Sequence, residues 1–177
     1  MGLKYNDLDN RTRDLMLKEI SHDESANTEF LSNRLTDTGK KNWSLLLRAA
    51  AKDHNDSWLA DEIQKLGYLN SHEERRKPTG GVTLVKVPVT AHTTLAEGEF
   101  NRQYIRAVCL RAIEDGILHV IAYRARYSEN PRAESEALIG KKFDPNSVLK
   151  DLRSSIGIDT AFGLPPGPNS GLSVRLP

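Results

Sequence analysis

The chain has little cysteine and no long apolar segment. Cys109 is the one cysteine among 177 residues, which excludes an internal disulfide and any zinc site that needs several cysteines. It also fits a reducing compartment. No apolar run approaches the roughly 20 residues that cross a bilayer, and the amino terminus lacks the apolar stretch of a signal peptide. We expect a soluble protein without a membrane partner, located in the cytoplasm or in a particle made there.

Catalytic and ligand-binding motifs are also missing. The five histidines are scattered, and none stands three or four residues from another, so no zinc-binding helix pattern exists. Gly80 and Gly81 precede a predicted strand, whereas a phosphate-binding loop follows a strand and opens a helix. We therefore expect no metal, no cofactor and no enzymatic activity. The alternative is an enzyme whose site is built from His119, Tyr123, Arg124 and distant carboxylates.

Net charge is close to zero. The formal charge is +1, so the chain has no bulk field that would attract nucleic acid or an anionic membrane. The length suits one domain or a small pair. With 38% hydrophobic and 28% charged residues, such a chain buries a modest core.

The first 77 residues read as a helical unit. Apolar residues recur at helical spacing over residues 7–21, 36–52 and 56–66. Thr36 or Thr38 suits the start of the second helix, and Gly67 suits the end of the third. Residues 71–77 read as one further helical turn, which Pro78 ends.

Residues 82–158 read as an α+β unit that follows a hinge. The β-branched segment 82–87 predicts a strand, and Thr94 with Glu97 predicts a capping box that opens the longest helix. A second strand is predicted over residues 117–127. Asp144 followed by Pro145 predicts the start of a last helix. The overall prediction is an α+β fold, in which the long helix is either a right-handed crossover or lies across an antiparallel sheet.

Residues 159–177 read as an extended carboxy-terminal arm. The stretch is rich in proline and glycine, so it cannot form a helix, and it ends in an alternation of apolar and polar residues that is typical of a strand. We expect the arm to bind a neighbouring molecule or the chain's own body. Its candidate contact residues are Leu164, Leu172, Val174 and Leu176.

Arginine is concentrated between residues 102 and 132. On the predicted long helix, Arg102 and Arg106 lie about one turn apart, and Arg124 and Arg126 share one face of the predicted strand. Because the guanidinium group matches carboxylates and phosphates, these four residues are candidates for contact with a phosphate backbone or an acidic partner. The alternative is pairing with carboxylates of the first 77 residues.

These patterns predict a non-enzymatic subunit of a larger assembly, such as a virion shell, an accessory capsid protein or a comparable compartment. Its arm would add a strand to a neighbouring copy, so the protein would be a homo-oligomer or part of a larger complex. One alternative is a small regulator associated with nucleic acid, with residues 71–77 as the reading helix of a helix-turn-helix. A second alternative is an inhibitor that docks on a partner enzyme.

Overall fold

The computed structural model describes residues 2–126, 133–156 and 171–177, and these residues form an α+β fold. Within them, no helix combines the length and apolarity needed to span a bilayer. The helices are α1 Asn10–Ala26, α2 Asp37–Asp53, α3 Asp56–Lys65, α4 Ala91–Glu114, α5 Ala133–Glu136 and α6 Pro145–Ser154. The strands are β1 His72–Arg76, β2 Val82–Lys86, β3 Val120–Arg124, β4 Lys142–Phe143 and β5 Leu172–Arg175.

Helix ends follow local side-chain chemistry at three positions. The Thr36 hydroxyl accepts a hydrogen bond from the Gly39 amide, and Asp144 accepts one from the Ser147 amide, each 3.0 Å long. Both predicted caps are confirmed. Asn55 caps α3 in the same way. Gly39 itself is required by close packing, because a Cβ atom there would lie 2.7 Å from the carbonyl oxygen of Tyr68.

Helix α4 begins earlier than the sequence indicates. It starts at Ala91, so the predicted capping box at Thr94 is wrong. The Thr94 hydroxyl donates to the carbonyl oxygen of Thr90, one turn before it. The Glu97 carboxylate is buried and pairs with Arg126, so a local contact engages Thr94 and a tertiary contact engages Glu97.

The predicted helical turn at residues 71–77 is wrong, and with it the reading helix of a helix-turn-helix. These residues include β1, which pairs antiparallel with β2, from His72 opposite Lys86 to Arg76 opposite Val82. The chain enters β1 already extended, because Leu69 forms a β-bridge with Leu35. The strand predicted at residues 82–87 is confirmed as β2.

A second, three-stranded sheet has the order β4-β3-β5, and both neighbours of β3 are antiparallel to it. Since β2 and β3 belong to different sheets, α4 does not connect them as a right-handed crossover. The helix instead packs against α1, α3 and α6 and touches β5. Of the two arrangements that the sequence left open, a helix packed on an antiparallel sheet is the closer one.

The hydrophobic core forms around α4. Phe100, Tyr104 and Val108 follow one another along this helix at one-turn spacing and are fully buried. They belong to one cluster that includes Trp43 from the helical part and Leu149 from α6. Residues from both sides of the predicted boundary after Lys77 therefore share one core.

Candidate functional site

Strand β5 lies in the carboxy-terminal arm that the sequence predicts to make contacts, and the structure describes all of its residues. It pairs with β3 from Leu172 opposite Arg124 to Arg175 opposite Ile121. Leu172 and Val174 are 1% and 0% exposed. The side-chain amide of Asn101 on α4 donates to the backbone carbonyl of Leu172 at 2.7 Å. The strand is thus held by backbone pairing on one side and by α4 beneath it.

The segment before α1 lies beside the same strand. The amide of Leu176 donates to the Asp7 carboxylate at 3.0 Å, and the amide of Asp7 donates to the Tyr104 hydroxyl at 3.0 Å. The Tyr123 hydroxyl of β3 donates to the carbonyl of Lys4 at 2.7 Å. Both ends of the described chain are therefore fixed on α4 and β3.

The structure places the predicted arm residues as follows. Leu172 and Val174 lie in the core of the same chain, and Leu176 is partly buried against it. Leu164 lies outside the described residues. Within one chain, the end of the arm binds the body, which is one of the two arrangements that the sequence predicts. Exchange of the strand with a neighbour remains a prediction.

The predicted arginine face turns inward along α4. Arg106 is 1% exposed and donates to Glu19 and Asp23 of α1, at 2.6 Å to each. Burial alone would raise the pKa of the Asp23 carboxyl, but the hydrogen bonds and charge of Arg106 hold it below its usual value. A guanidinium group this deeply buried has no surface for phosphate. Arg106 instead follows the alternative that the sequence left open, which is pairing with carboxylates of the first 77 residues.

The other three arginines also bind groups of the same chain. Arg102 donates to the backbone carbonyls of Leu152 and Ser155 at the end of α6, at 2.6 and 2.8 Å. Arg124 pairs with Glu136 at 2.5 Å, and Arg126 pairs with Glu97. The structure does not bring the four arginines together on one exposed face.

A small cavity lies beside the buried ion pair of Arg106 and Asp23. Its volume is about 10 Å³, roughly the room needed for one water molecule. Burial raises the pKa of the Glu99 carboxyl to about 7, against the lowering effect of Arg102. The side-chain oxygen of Gln103 is buried without a hydrogen-bond partner. The cavity is lined by Ile20, Asp23, Glu29, Phe30, Trp43, Leu47, Glu99 and Gln103.

Potential metal ligands do not cluster in the described ranges, and the thiol of Cys109 lies in the core. Those ranges contain no cluster of three histidine, cysteine or acidic side chains that could hold a metal ion. Cys109 is fully buried, and burial raises the pKa of its thiol well above the usual value. The thiol is therefore protonated at neutral pH and packs as a small apolar group.

The hairpin formed by β1 and β2 is the feature that the sequence prediction missed. Alternate residues of each strand point to the same side, and every residue on one side of the hairpin is exposed. Val82 and Leu84 are 54% and 67% exposed on this face. The face consists of His72, Glu74, Arg76, Val82, Leu84 and Lys86.

The hairpin is anchored to the body near its base. Arg34 donates two hydrogen bonds to the Glu73 carboxylate, at 2.6 and 3.0 Å, and the amide of Asn70 donates to the carbonyl of Arg34. The available sequence signal was the turn Pro78-Thr79-Gly80-Gly81 between two short segments. The hairpin was not predicted because the charged residues of β1 have a low propensity to form strands.

No protein-family model, curated protein or solved structure matches this chain.

Proposed function

We propose that this chain is a non-enzymatic structural subunit of a larger protein assembly, formed in the cytoplasm, of the kind that builds a virion shell or a comparable compartment. Its carboxy-terminal strand would join copies by exchange, with β5 of one copy occupying the site beside β3 of the next. An inhibitor that docks on an enzyme through the same strand is the alternative use of this geometry.

The observation that carries the proposal is the way β5 is attached. The strand occupies an outer position of its sheet, next to β3, and inserts Leu172 and Val174 into the core. Strand addition of this type is a common mode of recognition, because backbone hydrogen bonds give affinity and alternate side chains fill pockets. The same acceptor site on an identical copy offers identical contacts, so exchange costs few interactions.

A pair of cysteines across β3 and β5 tests the exchange. Ile121 and Arg175 are directly opposite each other, and opposite residues in an antiparallel ladder lie about 4.5–5.5 Å apart, within disulfide range. We expect the I121C/R175C variant to form covalent oligomers under oxidation, seen on a non-reducing gel. The native Cys109 is buried and does not compete.

Two controls make the result specific. The single variants I121C and R175C should give no defined ladder of covalent oligomers. Light scattering on the wild-type chain should give a mass of several copies. An oligomeric mass with bridges only inside each chain would contradict the role of the strand, and a monomeric mass over a wide concentration range would contradict the assembly function itself.

A further inference from the structure

In the described chain, the arginines without a close ion pair or a hydrogen bond to a carbonyl lie on the β1–β2 hairpin. Arginines elsewhere in the described chain bind carboxylates or backbone carbonyls, as Arg106 does with Glu19 and Asp23. The side chain of Arg76 has neither an ion pair nor a hydrogen bond within the described ranges, and the side chain of Arg75 makes only a long contact of 3.6 Å with Glu73. The next residue, Lys77, is also exposed.

We infer that this hairpin is a binding site for duplex DNA, inserted as a ribbon into the major groove. That groove is about 12 Å wide and admits a two-stranded β-ribbon. The inference does not depend on the proposed assembly function, because it uses a different surface from β5.

The geometry of the ribbon directs charge toward both walls of a groove. Successive residues of a strand point to opposite faces, so Arg75 and Arg76 point in opposite directions across the hairpin. Lys77 follows them at the turn, where its amide bonds to the carbonyl of Gly81. Lys86 is exposed at the other end, opposite His72. Phosphates on both strands of a duplex would therefore meet a cation.

The acidic residues of the hairpin oppose this charge only in part. Arg34 neutralises Glu73 through two hydrogen bonds, so Glu74 is the one carboxylate of β1 that no cation engages in the described chain. Val82 and Leu84 lie on the same face as Glu74. Exposed aliphatic side chains on a reading element can contact thymine methyl groups, which gives these two residues a role beside the cations.

The inference is tested by fluorescence anisotropy with a labelled DNA duplex of mixed sequence, about 30 base pairs long. We expect binding in the micromolar range at low salt, with an affinity that falls as salt rises. The variant R75A/R76A/K77A should bind at least about 10-fold more weakly, with the slope of log affinity against log salt reduced by about 2 to 3. E74Q should bind more tightly than the wild type, because it removes the opposing charge.

A matched variant removes the same charge from other surfaces. Lys41, Lys52 and Lys150 are exposed on α2 and α6, and K41A/K52A/K150A should retain wild-type affinity. Circular dichroism checks that both triple variants remain folded. An RNA duplex of equal length should bind more weakly than DNA, because its major groove is too narrow for side chains to read.

Four results would overturn the inference. The first is no binding at about 100 µM protein in low salt, where non-specific binding is normally measurable. The second is an equal loss of affinity in the two triple variants, and the third is equal affinity for DNA and RNA duplexes. The fourth is a V82S/L84S variant that loses oligomeric mass in light scattering but keeps full DNA affinity. The last would identify the exposed face as a protein contact. The first three do not bear on the exchange of β5, which the cysteine bridges test separately.

Discussion

At the scale of single residues, burial decides what a charged side chain does. Arg106 and Glu19 are each 1% exposed, and Arg153 also pairs with Glu19, at 2.5 Å. Charges removed from water are costly unless each is paired and hydrogen-bonded. The regularly spaced arginines of α4 therefore make their contacts in the interior, with α1 and with the end of α6.

Removing one partner of this cluster should destabilise the fold strongly. We expect Arg106→Met to lower the free energy of unfolding by about 3–5 kcal/mol, because Asp23 is then left buried without its arginine and Glu19 keeps only Arg153. Urea denaturation followed by circular dichroism measures the change. In the matched control Arg11→Ala, an exposed pair with Asp115 is lost, and the free energy of unfolding should change little because exposed ion pairs contribute little to stability.

A second pair of substitutions separates charge from packing. Adding Glu19→Gln and Asp23→Asn to the Arg106→Met variant replaces both carboxylates that Arg106 contacts with neutral amides, so part of the lost stability should return. If the triple variant is no more stable than Arg106→Met, lost packing rather than uncompensated charge explains the destabilisation.

Glu99 should make stability depend on pH. Its pKa is raised to about 7 by burial in the folded chain, so the folded state holds the proton more tightly than the unfolded state. Stability from the protonated form is complete below the unfolded pKa, near 4.3, and is lost as pH rises through about 7. Glu99→Gln should therefore be more stable than the wild type at pH 8, by up to about 3 kcal/mol.

The same substitution should have little effect near pH 4.5, where the Glu99 carboxyl of the folded wild type is protonated and is therefore neutral, as the glutamine side chain is. Urea unfolding at the two pH values measures the difference. A stability gain that is equal at both pH values would contradict the assigned pKa and point to a simple change in packing.

At the scale of elements, β5 is part of the core and not an appendage. Leu172 and Val174 belong to the central cluster, and Asn101 of α4 bonds to the backbone of the strand. If β5 were removed, the apolar site that it occupies would be exposed to water. The strand therefore differs from a tail that can be removed without consequence for the body.

Deletion of residues 163–177 should therefore lower the stability of the monomer. Loss of a buried leucine or valine side chain typically costs about 1.5–3 kcal/mol, so we expect a clear fall in the urea midpoint. Leu176→Ala is the milder comparison, since that side chain is only partly buried. An unchanged midpoint after deletion would show that β5 adds nothing to the folded body.

Prediction from sequence worked best for helices with a regular apolar spacing and a side-chain cap. Residues 36–52 and the Asp144-Pro145 start were predicted to within one residue, because periodicity and caps are local signals. The predictions for the start of α4 and for residues 71–77 were wrong, because contacts with residues far along the chain engage both segments. Arg126 binds Glu97, and Leu35 bridges Leu69.

At the scale of the whole molecule, α4 organises the fold. It contacts α1, α3, α6 and β5, so one helix joins both sides of the predicted boundary after Lys77. The hairpin lies outside this packing, with β1 and β2 contacting chiefly each other. The molecule thus presents an interior built around α4 and one ribbon left largely to solvent.

The sequence by itself determined the α+β class, the helix caps at Thr36 and Asp144 and the tendency of the last residues to form a strand, because these depend on neighbours a few positions away. Tertiary structure alone decided that Leu172 and Val174 enter the chain's own core, that Arg106 is buried and that residues 72–76 pair as a hairpin. Burial and strand pairing depend on which distant segments meet, and amino-acid spacing does not encode that meeting locally.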